Sequence, residues 1–77
     1  MASNQEVLKR LKQATAEAIE KAKAVGDQDG IEQLAKIDAI ADELVHKSRS
    51  GPLSALDILN IGLLFERFVR ILRELFG

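Results

Sequence analysis

Apolar residues recur every three to four positions along almost the whole chain, and the pattern breaks twice, around Gly26 and around Gly51–Pro52. In the first segment Val7, Leu8, Leu11, Ala14, Ala18, Ile19, Ala22 and Val25 share one helical face. "SNQEVLKRL" opens it with Ser3 in the N-cap position and Glu6 three residues on, the spacing of a capping box. Gly26 supplies the left-handed residue that ends a helix, so the spacing predicts a helix over 4–25. The second segment carries Ile31, Leu34, Ile37, Ala41, Leu44 and Val45 on one face, with Ile40 and Ala35 outside it. Asp29 as N-cap, with Glu32 repeating the capping-box spacing, predicts a helix over 30–48. Gly51 and Pro52 stop it, because proline cannot continue a helix and disfavours helical geometry just before itself. Ser54 and Asp57 form a third box, Leu53 and Ile58 sit where a hydrophobic staple clamps a helix entry, and a helix over 55–76 follows.

Surface charges agree with this division. Glu6–Arg10, Glu17–Lys21, Glu32–Lys36, Glu43–Lys47 and Glu66–Arg70 are all spaced i,i+4 with the acid first, the favourable order. Short connections between helices of similar length make sequential neighbours antiparallel. The expectation is therefore one all-α domain spanning 1–77, an up-down-up three-helix bundle.

The third helix carries more than a core stripe. From Ala55 to Phe76, 14 of 22 residues are Ala, Val, Leu, Ile or Phe, and all three phenylalanines of the protein lie here. Ile58, Ile61, Leu64, Phe65, Phe68, Val69, Ile71, Leu72, Leu75 and Phe76 fall on an arc about 160° wide, which a helix lying in the groove of an α-hairpin can bury. The alanine-rich face of the first helix (Ala14, Ala18, Ala22) offers room for that bulk. Leu56, Leu59 and Leu63, spaced i, i+3, i+7, form a second stripe on nearly the opposite side, bordered by Asn60 and Arg67. A three-helix bundle gives that side to water, and a contiguous apolar patch marks a contact surface. Otherwise the helix is rotated, or the second helix and residues 49–54 cover its first turns. Gly62, in a helix interior, points to close backbone approach or a slight bend, with mere tolerance of the glycine an equal alternative.

Composition narrows the chemistry. Seventy-seven residues, 47% of them hydrophobic and 30% charged, suffice for one small core but leave it marginal without a staple. There is no cysteine, hence no disulfide framework, thiolate metal site or cysteine nucleophile. A formal charge of −1 gives no general attraction to nucleic acid or to an anionic membrane, and Arg67, Arg70 and Arg73 are diluted by Glu66 and Glu74. The polar start "MASNQEVLKR" lacks the apolar core of a signal peptide, and the longest apolar run of the third helix, "IGLLF", is too short to cross a bilayer. A cytoplasmic or simply soluble protein is expected. His46, with Asp42 at i−4 and Glu43 at i−3, lacks the further ligands of a zinc site, and Asp38, Asp42 and His46 have no nucleophile beside them.

The recurring caps, the repeated acid–base pairs and the short connections resemble those of an engineered or de novo designed helical bundle, and the residues carry the signature of no natural family. Gly62, Ile40 and the loading of the first turns of the third helix depart from that regularity. The residues point to a non-catalytic bundle with no cofactor, metal, nucleic acid, membrane span or small-molecule substrate. Its expected partner is a second copy of itself, met through Leu56, Leu59, Asn60, Leu63 and Arg67; the alternative is a binding module that presents this helix to a hydrophobic groove of another protein.

Overall fold

The computed structural model describes residues 4–76. Three helices account for nearly all of them: α1 (Asn4–Val25), α2 (Gln28–Ser50) and α3 (Ala55–Phe76). They lie side by side in a bundle of 39 × 21 × 17 Å, whose long axis is little more than one helix of 22 or 23 residues. Lys12 of α1 meets Asp42 of α2, and Lys21 near the end of α1 lies over Phe76 at the end of α3. The chain therefore runs up, down, up, as its short connections require.

The bounds of α1 and α3 coincide with those the sequence predicts, and the α1 C-terminus shows why. Gly26, at φ 74°, lets its own N–H donate to the Lys23 carbonyl (3.2 Å) and the Asp27 N–H to the Ala22 carbonyl (2.9 Å). This is the paired 5→2 and 6→1 bonding of a Schellman ending. Ser3, the predicted cap of α1, lies outside the described residues.

The start of α2 differs from expectation. Its N-cap is Asp27, not Asp29: the Asp27 carboxylate accepts from the Gly30 N–H at 3.0 Å, and its carbonyl accepts from the Ile31 N–H at 3.0 Å. Asp29 falls inside the first turn, where its charge still favours the helix N-terminus. Asp27 thus closes one helix with its N–H and opens the next with its side chain, leaving a two-residue joint. Removing the side chain in Asp27→Ala is expected to cost about 1 kcal/mol and lower the melting temperature by roughly 4–8 °C, readable by circular dichroism.

At the other connection the Ser54–Asp57 box forms as read. The Ser54 N–H donates to Asp57 Oδ2 (3.2 Å), and the Asp57 N–H donates to Ser54 Oγ (3.1 Å). The Ser54 backbone N–H and then its hydroxyl, with Lys47 Nζ at 3.4 Å, hold the Asp57 carboxyl below its ordinary pKa. A depressed carboxyl stabilises the fold above the usual carboxylate range, and that contribution is lost as the pH falls through its lowered value.

The core joins Leu8, Leu11, Ala18 and Ala22 of α1, Leu34, Ile37, Ala41, Leu44 and Val45 of α2, and Ile61, Leu64, Phe68 and Ile71 of α3. Thr15 is fully buried as well; its hydroxyl donates to the Leu11 carbonyl at 2.7 Å, which satisfies the group without a partner from another helix. Ile40, outside the predicted stripe of α2, packs half-buried against the core, whereas Val25, assigned to the α1 face, is exposed.

α1 and α2 form the tightest pair, and α3 rests more on α2 than on α1. This tilt corrects the predicted arc of α3. Ile58, Val69 and Phe76, placed in the core by periodicity, are 49%, 45% and 55% exposed, while Phe65, Leu72 and Leu75 are half-buried. Leu53 packs against the core, but Ile58 does not follow it inward as a staple would. Of the α1 alanines, Ala18 and Ala22 are buried and Ala14 is half-buried. Ala14 and Ala18 face Phe68, Leu72 and Phe76 across an open cleft of about 350 Å³, and the Lys21 ammonium sits 5.4 Å from the Phe76 ring.

Candidate interaction surface on the third helix

The leucine stripe stands where its spacing places it, on the side of α3 away from the core. Leu56, Leu59 and Leu63 are 66%, 60% and 48% exposed, so neither α2 nor residues 51–54 cover them. The capping box explains why the first turns hold this position: it fixes the chain's entry at Ser54, and Ile61, Leu64 and Phe68 then anchor the opposite face in the core.

The two polar residues expected at the border are exposed there. Asn60, Leu63 and Arg67 line a shallow groove of about 210 Å³ with Leu64 and with Ile40 of α2. Arg67 also faces a neighbouring groove of about 310 Å³ that includes Lys36 and Ile37 of α2 and Arg70, Ile71 and Glu74 of α3. The stripe therefore runs into a furrow between α2 and α3 whose floor is apolar and whose rim is mostly basic. Glu66 and Arg70 pair across one turn at 3.4 Å. Of the other acid-first pairs, two lysines take different partners: Lys47 reaches Asp57, and Lys21 lies over Phe76.

The opposite border was not legible as a stripe. Ala55, Ile58, Gly62, Phe65, Val69, Leu72 and Phe76 follow one another at alternating steps of three and four, the spacing of an a/d seam. Every one of them is exposed or half-buried. Periodicity at 3.6 residues per turn merges this seam with the core arc; its 3.5-residue repeat is the signal that separates the two.

Gly62 belongs to the seam, on its side toward the leucine stripe. A Cβ built on it meets nothing within 4 Å, and its φ is not in the left-handed region. Glycine in a helix interior costs about 1 kcal/mol relative to alanine. Neither backbone conformation nor crowding within the chain requires it.

The polar face of α2 has a different character. Asp42 accepts from Lys12 Nζ at 2.6 Å, a bond that lowers the Asp42 pKa and raises that of Lys12. Asp42 is thus engaged with α1 rather than facing His46 alone. Among the described residues no group of three His, Cys, Asp or Glu is placed to hold a metal ion, and no helix is long and apolar enough to cross a membrane. No protein-family model, curated protein or solved structure matches this chain.

Proposed function

We propose that this chain is a non-catalytic helical bundle whose role is to pair, through the outward face of α3, with a second copy of itself. The observation that carries the reading is the exposure of Leu56, Leu59 and Leu63 as one stripe on the outward side of a helix whose start is fixed by its capping box. Scattered exposed leucines are ordinary, but three on adjacent turns, joined by Ile58, are a patch. At these exposures the four side chains offer roughly 400 Å² of apolar surface per copy; with a polar rim of usual proportion, that approaches the roughly 800 Å² each partner gives a standard interface. A self-complementary helix face is also the simplest route to a two-fold dimer. In a chain this small, pairing supplies the staple that cysteines and metals supply elsewhere.

The i, i+3, i+7 spacing of the three leucines supports a second reading, in which α3 lies in a hydrophobic groove of a different protein. Sedimentation equilibrium over a hundredfold concentration range separates them. Self-pairing gives a mass that climbs from one chain toward two, with a melting temperature that rises with concentration. A single-chain mass throughout rejects the homodimer and leaves the heterologous reading.

A further inference from the structure

We infer that two copies pair antiparallel, with their third helices crossing in close contact at Gly62. The inference rests on the self-pairing reading and deepens it by naming how the second copy is seated. Gly62 lies on the outward side of α3 with open space where a side chain would be, between Leu59 and Leu63 on one flank and Ile58 on the other. The single chain supplies no reason for glycine there: its φ is ordinary and nothing crowds it. A backbone arriving from outside supplies one, since a missing side chain at the crossing lets two helices approach while the flanking large residues interlock.

Charge sets the direction. The outward side of α3 is apolar from Ala55 to Leu63, whereas beyond it Glu66, Arg67, Arg70, Arg73 and Glu74 are all exposed. A parallel pair would stack Glu66 on Glu66, Arg70 on Arg70 and Arg73 on Arg73, and would align the two helix dipoles side by side. An antiparallel pair centred on Gly62 overlaps residues 55–69 of the two copies, sets Arg67 of each opposite Asp57 of the other rather than like charge on like, and sends Arg70, Arg73 and Glu74 of the two copies away from each other. In that register Ala55 faces Val69 of the second copy, and Leu59 faces Phe65.

Because the native chain has no cysteine, single-cysteine variants report this geometry directly. An equimolar mixture of Ala55→Cys and Val69→Cys, oxidised mildly at a concentration where the chain pairs, is expected to yield the mixed 55–69 disulfide dimer, resolved by mass. Dimers of 55–55 and 69–69 in its place overturn the antiparallel seating but leave self-pairing standing. No disulfide dimer at all, together with a single-chain mass in sedimentation, overturns both. Gly62→Ala tests the close approach. It is expected to raise the melting temperature of the dilute chain while weakening the dimer dissociation constant about tenfold. An unchanged or tightened dissociation constant overturns the crossing at Gly62.

Discussion

Leu34→Ala is expected to cost this protein about 2–5 kcal/mol of stability, a large share of what a domain of this size has. Leu34 is wholly buried in α2, and Leu8 and Leu11 of α1 are buried beside it in the same core. Truncating such a leucine loses its transfer free energy and leaves a cavity, together costing about 2–5 kcal/mol. Rigid flanking helices limit how far the site can collapse, because Gly26 and Asp27 join α1 to α2 with almost no slack. Against a total stability of roughly 4–12 kcal/mol for a domain of this size, that loss runs from about a sixth upward. The melting temperature should fall by more than about 10 °C. The matching truncation of an exposed leucine, Leu56→Ala, should change the stability of the dilute chain by no more than about 0.5 kcal/mol. Thermal melts by circular dichroism at low concentration check both. A Leu34→Ala variant melting within a few degrees of the native chain would contradict the core described above.

How much of this architecture the sequence discloses depends on which signal each residue sends. Gly26, Ser54 and Asp57 send local ones, complete within four or five residues, and the C-terminal end of α1 and the start of α3 follow from them. Asp27 and Asp29 send competing signals of the same kind; the joint after Gly26 leaves Asp27 in the capping position, which spacing to Glu32 obscures. Thr15 lies i+4 from Leu11 and i−3 from Ala18, so its place in the core was readable, but polarity argues against it until its bond to the Leu11 carbonyl is known. Ile58, Val69 and Phe76 are a different case. Their periodicity is that of a core face, and what exposes them is the lean of α3 toward α2, a tertiary property that no window of sequence contains. The leucine stripe was legible because it lies opposite the core whichever way the helix leans.

The double substitution Leu59→Glu with Leu63→Glu should abolish self-pairing and leave the single chain folded. Both leucines already face water in the isolated chain, and glutamate is as good a helix former as leucine. The new carboxylate at 63 stands i−4 from Arg67, the favourable order, which offsets the mild repulsion between 59 and 63. In the paired state the same change buries four carboxylates near one axis. Each isolated buried charge costs several kcal/mol unless it takes up a proton, so the dissociation constant should rise at least about a thousandfold. Sedimentation should return the mass of one chain at every concentration, with an unaltered helical circular dichroism spectrum. A variant that keeps the native concentration dependence would remove this face from the interface. The reverse-charge variant, Leu59→Lys with Leu63→Lys, should also stay single on its own, for the same reason of buried like charge. Mixing the two variants should restore part of the association, since each carboxylate then meets an ammonium across the axis. General destabilisation of α3 would leave the mixture dissociated, so recovery on mixing distinguishes lost pairing from a damaged helix.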